Sequence, residues 1–267
     1  MPVGSVSLVG ILNITPDSLS DGGKFLSYEA ALSHAHRLVD DGADVIDIGG
    51  DSTRPGSICC GIEEEWERIG RLITPLSSLC RVSVDTHHAE VARRALDAGA
   101  SVINDISGGS DPMMLEVVRN SDAHYVMMHS RCADPHHFGH DPEGDIVTRV
   151  LDSFARMEKR ACEAGIGRDK LLFDPGCGGF LSSKPDASWE LLSSIGKLGV
   201  YSTLFLGISR KGFLRQEGEV SVEERDGLSS YLGALISSRL SGEVWLRVHN
   251  VAQQRTFLRI AEQFQQK

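Results

Sequence analysis

An alternation of two patterns constrains the fold of this chain more than any other feature. Eight short, β-rich apolar runs are separated by segments with apolar residues at helical spacing, for example Trp66, Ile69, Ile73 and Leu76. Most runs are continuously apolar, as expected of parallel strands that are covered on both faces. The runs are Leu8–Thr15, Asp44–Gly50, Val82–Thr86, Val102–Ile106, His124–His129, Leu171–Pro175, Leu204–Ser209 and Trp245–Val248.

This alternation predicts an α/β protein with the (β/α)8 TIM-barrel fold, in which eight parallel strands are surrounded by helices. An open doubly wound sheet shows the same alternation and is the alternative. The barrel is favoured because no Gly-x-Gly-x-x-Gly motif follows the first run. No linker or change of composition divides the 267 residues. We therefore expect residues 1–267 to form a single domain.

The net charge and the apolar segments limit the kinds of partner that this chain can bind. Thirty-seven acidic and 27 basic residues leave a net charge of −10, which disfavours broad contact with nucleic acid or anionic lipid. No apolar stretch reaches the ~20 residues that cross a bilayer, and the N-terminal segment lacks the basic start of a signal peptide. The six cysteines form no Cys-x-x-Cys pair. These features predict a cytoplasmic protein with reduced thiols that binds neither nucleic acid nor membrane.

Polar side chains collect where the apolar runs end. Any Asp or Asn there could cap the next helix, but a cation is repelled by a helix N-terminus. Lys211 and Arg247 therefore indicate a bound anion, and Arg247–His249 precedes a helix predicted to begin near Val251, as in many phosphate sites. A solvated surface cluster is the alternative. The polar residues are Asn13, Asp47, Asp51, Asp85, Asn104, Asp105, His129, Asp174, Arg210, Lys211, Arg247 and His249.

Three of these residues suit a flat heterocycle rich in N–H donors. The ionised carboxylates of Asp85 and Asp174 only accept hydrogen bonds, whereas the amide of Asn104 both donates and accepts. Such a set matches a ring that carries a 2-amino and a 4-oxo group, as in a pterin or a guanine.

Seven motifs lie at the ends of the predicted strands. In their sequence and their order along the chain they resemble the motifs of the dihydropteroate synthases of folate biosynthesis. The resemblance extends from Gly10 to about Ala261. It implies a transferase that joins 7,8-dihydropterin pyrophosphate to 4-aminobenzoate and releases pyrophosphate. The motifs are Gly10–Gly23 (GILNITPDSLSDGG), Asp47–Gly56 (DIGGDSTRPG), Val82–Thr86 (VSVDT), Asn104–Gly108 (NDISG), Asp174–Gly176 (DPG), Ser209–Lys211 (SRK) and Arg247–His249 (RVH).

Under this resemblance Asp85, Asn104 and Asp174 hold the pterin ring. Lys211 lies beside the ring and Met128 packs on its pocket, although ordinary core packing is the alternative for Met128. The catalytic residues implied are Asp85, Asp174, Lys211 and Arg247.

The same resemblance implies how the anion and the acceptor are held. Asn13 contacts a Mg²⁺ ion bound to the pyrophosphate, and Arg247 and His249 grip that anion. Thr53 and Arg54 lie in the loop after the second strand, which closes over both substrates. Two chains are expected to form a homodimer through their outer helices.

Departures from the family pattern lie near the expected acceptor pocket. Gly212 stands where Ser is usual, and Gly179 stands where an aromatic is usual, with Phe180 adjacent. They bear on acceptor choice and sulfonamide sensitivity rather than on pterin binding. Two further departures are Asp51 for Glu and Asn250 for Asp.

Two other functions are compatible with this pattern. One is a pterin-binding methyltransferase domain, and the other is a catalytically silent pterin-binding paralogue. Activity on both synthase substrates discriminates these hypotheses. The segment His129–His140 could also hold a metal ion, although its spacing matches no known zinc motif.

Overall fold

A closed barrel of parallel strands organises the chain, as the computed structural model shows for residues 4–14, 28–51, 60–132, 140–215 and 220–265. The strands neighbour one another in chain order, and β8 pairs in parallel with β1. The predicted (β/α)8 TIM barrel is therefore confirmed. Its strands are β1 Val6–Asn13, β2 Val45–Gly49, β3 Arg81–Asp85, β4 Val102–Asp105, β5 His124–Met128, β6 Leu171–Asp174, β7 Thr203–Leu206 and β8 Glu243–Val248.

Helices surround the barrel and bury their apolar faces against it. In α2, Ile69, Ile73 and Leu76 are buried, as their spacing predicts. A capping box begins α7, where the Ser221 hydroxyl accepts from the Glu224 amide and the Glu224 carboxylate accepts from the Ser221 amide. The helices are α1 Tyr28–Asp40, α2 Ile62–Ser77, α3 Ala89–Asp97, α4 Met114–Arg119, α5 Ile146–Glu163, α6 Pro185–Ser193, α7 Val222–Ser237 and α8 Val251–Gln265.

A layer of apolar side chains fills the barrel interior. Each of seven strands contributes one buried side chain to this layer, and the guanidinium of Arg81 lies 4.7 Å from the Trp245 ring. Layers of this kind make the barrel a packed core rather than a pore. The layer is Val9, Val45, Val102, Val126, Leu172, Phe205 and Trp245.

The strands end slightly earlier than the apolar runs predict. Thr86 and His129 lie one residue beyond β3 and β5, yet their amides still donate to Asn104 and Asp174 carbonyls on the neighbouring strands. Pairing thus continues by one hydrogen bond where regular strand geometry stops. Within the described part of the chain, no helix has the length and apolarity needed to span a membrane, and no disulfide links the cysteines.

Candidate active site

A polar layer lies directly above the apolar layer, towards the carboxyl ends of the strands. Side chains alternate between the two faces of a strand, so the residue two positions after each member of the apolar layer also points into the barrel. Asp47, Asn104 and Asp174 are buried there. The residues at these positions are Ile11, Asp47, Asn104, Met128, Asp174, Gly207 and Arg247.

Arg247 bridges two carboxylates at the centre of this layer. Its Nε donates to Asp47 at 2.5 Å, and its second terminal nitrogen donates to Asp85 at 2.7 Å. Burial raises the pKa of Asp85 to about 7, although Arg247 acts to lower it. Burial also acts to lower the pKa of Arg247, but the two carboxylates outweigh it and hold that pKa above its usual range. Asp85 can therefore change its protonation state near neutral pH.

Asp47 is a site residue that the motif-based assignment omits. It is fully buried and accepts hydrogen bonds from Arg247, from the Ser83 hydroxyl at 2.5 Å and from the Asn104 amide at 3.2 Å. Asp47 therefore fixes two of the predicted site residues at once. The sequence carried a signal for it, because Asp47 follows Val45 by two positions and so faces the barrel interior.

Asp174 and Lys211 form the opposite side of the polar layer. The Asp174 carboxylate accepts from the Gly176 amide at 2.7 Å, and burial raises its pKa to about 6. Burial lowers the pKa of Lys211, although Asp174 acts to raise it. A side chain at Gly207 would lie 3.4 Å from the Asp174 carboxylate, so glycine keeps the space above this carboxylate open.

A small apolar wall adjoins these charged groups. Met128, Ile106 and Phe180 form a buried cluster that is separate from the main core. The Lys211 ammonium lies 5.2 Å from the centre of the Phe180 ring, at cation–π distance. Phe180 thus provides an aromatic surface next to the position where Gly179 lacks one.

A cavity of about 540 Å³ opens beside the polar layer and is strongly cationic. Its described lining includes no acidic residue. The Arg210 guanidinium also contacts both oxygens of Asp226 at 2.7 Å, and its backbone has a φ of 57°, which is rare for a residue other than glycine. The polar and charged lining residues are Asn13, Ser209, Arg210, Lys211, Arg215, Arg225, Arg247 and His249.

His249 is held at the rim of this cavity. Its Nδ1 lies 3.0 Å from the Ser209 hydroxyl, which also accepts from the His249 amide at 3.2 Å. Because α8 begins two residues later, at Val251, His249 lies just before a helix N-terminus as the sequence predicts. Arg247, by contrast, directs its guanidinium into the barrel towards Asp47 and Asp85.

The structure describes one of the remaining predicted site residues, Asn13, but not Thr53 or Arg54. Asn13 ends β1 and lines the cationic cavity, and its side-chain oxygen would lie 3.6 Å from a side chain added at Gly49. Thr53 and Arg54 lie outside the described residues, as does most of the loop that follows His129. No group of three His, Cys, Asp or Glu side chains suited to a metal ion occurs within the described ranges.

Comparisons with known proteins agree with this geometry. A family model described as "Pterin binding enzyme" matches residues 9–249. The dihydropteroate synthase of Bacillus subtilis strain 168 is 39% identical over 257 residues, which cover 92% of this chain and 84% of the relative.

Two solved structures extend the agreement to three dimensions. A Xanthomonas albilineans dihydropteroate synthase with 4-aminobenzoic acid is 35% identical, with a TM-score of 0.88 over 98% of this chain and 93% of that chain. A Yersinia pestis dihydropteroate synthase in complex with a sulfonamide drug is 32% identical, with a TM-score of 0.90 over 98% of this chain and 95% of that chain.

The barrel, its buried Asp–Asn–Asp layer and the family match define a class, the pterin-binding enzymes. Within that class the chain belongs to the dihydropteroate synthase family, a family of transferases.

Proposed function

We propose that this chain condenses 7,8-dihydropterin pyrophosphate (6-hydroxymethyl-7,8-dihydropterin diphosphate) with 4-aminobenzoate, giving 7,8-dihydropteroate and pyrophosphate. The observation that carries this proposal is the division of the barrel mouth into two chemically different parts. Buried acceptors occupy the barrel axis, and a cationic cavity adjoins them. A substrate that joins a donor-rich ring to a diphosphate matches both parts.

The ring would be recognised by the polar layer. Asp174 and Asp85 offer acceptor oxygens to ring N–H and amino groups, and Asn104 can both donate and accept. The position of the Asn104 amide is fixed by its hydrogen bond to Asp47. Met128 and Phe180 belong to the apolar cluster on which a flat ring could pack. A ring bound here replaces water around the carboxylates with matched donors, which offsets the cost of their burial.

The diphosphate would lie in the cationic cavity. As the bond between the ring methylene and the pyrophosphate oxygen breaks, negative charge grows on the leaving group and positive character grows on the pterin. Arg247, Lys211 and His249, which line this cavity, would stabilise the leaving group, and Asp85 and Asp174 would stabilise the pterin. The amine of 4-aminobenzoate then forms the new C–N bond and loses a proton. That weakly basic amine needs positioning more than it needs a strong base.

A Mg²⁺ ion is compatible with this arrangement through Asn13. Mg²⁺ takes oxygen ligands and commonly keeps several waters while it binds substrate phosphates. The side-chain oxygen of Asn13 is such a ligand, and Asn13 lines the cationic cavity. Because no three-residue metal site occurs among the described residues, we expect the ion to enter with the diphosphate. When bound, Mg²⁺ would neutralise charge on the departing pyrophosphate.

The acceptor would bind on the loop side of the mouth, where Thr53 and Arg54 remain predicted contacts. Gly212 begins a short helical turn directly after Lys211, and a side chain built there meets no atom within 4 Å. This space beside Lys211 is therefore open to an acceptor. The predicted cytoplasmic location stays a prediction.

The proposal is tested by measuring pyrophosphate release from the pterin substrate with and without 4-aminobenzoate. Release that requires the acceptor, together with formation of dihydropteroate, supports the synthase. A silent paralogue binds the pterin without turnover. Methyl transfer from a methylated folate to a corrinoid partner, without pyrophosphate release, supports the methyltransferase instead.

We further propose that two copies associate through α7 and α8. An apolar groove of about 330 Å³ runs between these helices, and Phe264 and Tyr231 on it are 81% and 59% exposed. The spacing of Phe257, Ile260 and Phe264 predicts an apolar helix face, and that face remains largely uncovered in the single chain. An exposed apolar patch of this kind is typical of an interaction surface.

Light scattering of a Phe264→Glu variant tests this association. We expect a dimer for the unmodified chain and a monomer for the variant. Val200→Glu is the matched control, because Val200 is equally exposed at 79% but lies outside the groove. Dimers in both variants would contradict this interface.

A further inference from the structure

The loops after β5 and β6 are joined by a buried arginine that has no part in the chemistry derived above. The Arg131 side chain is 5% exposed, and its Nε donates to the Gly179 carbonyl at 2.9 Å. Its backbone amide donates to the Phe180 carbonyl at 2.8 Å. One residue thus binds two consecutive peptide carbonyls of the other loop.

Asp141 completes the connection from the segment that leads into α5. It pairs with the Arg131 guanidinium at 2.5 Å and accepts from the Ser183 amide at 2.8 Å. The hydroxyls of Ser182 and Ser183 donate to its other oxygen at 2.9 and 2.6 Å. Hydrogen bonds from Ser183 and the charge of Arg131 hold the pKa of Asp141 well below its usual range. The Asp141 carboxyl group is therefore ionised near neutral pH.

The segment that this pair holds carries the aromatic side of the site. Arg131 binds residues 179 and 180, and Asp141 binds residues 182 and 183, so both ends of a short turn are fixed. Between them Phe180 packs on Met128 and Ile106 and lies under the Lys211 ammonium.

The backbone of the turn packs closely against the residue after β5 and against Lys211. A side chain at Gly176 would lie 2.1 Å from the His129 carbonyl oxygen, and one at Gly178 would lie 3.3 Å from the Lys211 stem. Both glycines have a φ in the left-handed region, at 70° and 88°. Glycine at these two positions therefore allows the turn to approach His129 and Lys211 closely.

We propose that Arg131 and Asp141 are positioning residues for the pterin: through the 179–183 turn they hold Phe180 against Met128 and beneath Lys211. Loss of the pair lets Phe180 shift away from the ring site. The inference rests on the proposed function, since it assigns Phe180 to the ring half of that site.

Steady-state kinetics with each substrate varied separately provide the test. We expect Arg131→Gln and Asp141→Asn to raise KM for the pterin pyrophosphate about five- to twentyfold, because small displacements of binding groups are costly. KM for 4-aminobenzoate should change less than about twofold. Arg94→Gln is the control, because it removes an arginine that forms exposed ion pairs with Glu63 and Glu90 on the outer helices. It should leave both constants unchanged.

A double-mutant cycle separates positioning from general weakening. If Arg131 acts through Phe180, Arg131→Gln should add less than about twofold to the pterin KM of Phe180→Leu. Independent, multiplicative effects would overturn the proposal, as would equal increases in KM for both substrates.

Calorimetry with 6-hydroxymethylpterin keeps the two proposals distinct. Absence of turnover in the unmodified chain counts against the proposed function. Weaker pterin binding by Arg131→Gln and Asp141→Asn supports the positioning role whether or not turnover occurs. Unchanged pterin affinity in both variants, with thermal unfolding showing that they are folded, would refute it.

Discussion

Replacement of Arg247 by methionine tests the electrostatics of the site most directly. Arg247 donates to two carboxylates, one fully buried and one 19% exposed, and its own side chain is 19% exposed. Methionine keeps much of the apolar stem but leaves Asp47 and Asp85 without their cation. Removal of one partner from a buried ion pair costs about 3–5 kcal/mol. For a domain of this size that loss lowers Tm by roughly 10 °C.

The pH dependence of this loss of folding stability follows from the protonation of Asp85. Its pKa of about 7 in the folded chain lies above its usual value of 3.8 because of burial, and Arg247 acts to lower it. A carboxyl with a raised folded-state pKa contributes stability that is present at low pH and lost as pH rises through that pKa. Without Arg247 the pKa of Asp85 rises further. The stability of the variant therefore continues to fall above pH 7, where the contribution of Asp85 in the unmodified chain no longer changes. The destabilisation should thus be larger near pH 8.5 than near pH 5.5.

Urea unfolding at about pH 5.5 and about pH 8.5 measures this difference. Arg94→Met is the matched control, because it removes exposed ion pairs with Glu63 and Glu90, and exposed pairs contribute little to stability. Adding Asp85→Asn to Arg247→Met should recover part of the stability at the higher pH. Binding provides a second readout, since Arg247→Met should weaken the pterin pyrophosphate far more than a pterin without the anion. Equal destabilisation at both pH values, or equal loss for both ligands, would refute the reasoning.

Three further predictions concern the remaining site residues. Asp174→Asn replaces one acceptor oxygen by a donor group and should weaken pterin binding by ~1–3 kcal/mol in calorimetry; unchanged affinity would remove Asp174 from ring recognition. Lys211→Ala should lower kcat strongly, because the charge developing on pyrophosphate loses a cation, and an unchanged kcat would exclude that role. Gly212→Ser should chiefly change the KM for 4-aminobenzoate and sulfonamide inhibition, because space for a side chain is open there; an effect confined to the pterin KM would place this turn against the other substrate.

The strand register explains why much of the site could be predicted from the sequence. In a parallel barrel every strand ends at the same mouth, so a polar residue at the end of an apolar run has to lie there. Asp85, Asn104, Asp174 and Arg247 were identified in this way. That these side chains lie close together can be predicted without the structure of the loops, because side chains alternate along a strand and this alternation fixes the direction in which each one points.

Partners brought together by barrel closure could not be predicted from the same pattern. Asp47 and Arg247 are 200 positions apart and meet because β8 pairs with β1 next to β2. Arg131 holds the turn at Gly179 across 48 positions. Neither contact has a local sequence signal. For α8, the spacing of the apolar residues correctly predicts a helix. It does not predict that part of this apolar face stays uncovered in the single chain, where Phe264 is 81% exposed.

The distribution of charge in the mouth also determines which way round a substrate can bind. Asp47 and Asp174 are buried inside the barrel, whereas Arg215 and Arg225 line the cationic cavity beside it. A diphosphate inside the barrel would lie against the Asp47 and Asp174 carboxylates in a medium of low dielectric constant, where repulsion between like charges is strong. A donor-rich ring in the cationic cavity would find no acidic partner among the described lining residues. The reversed orientation is therefore disfavoured at both ends. In the proposed orientation the reactive methylene would lie at the boundary between the two regions, where Arg247 contacts a buried carboxylate and also lines the cavity.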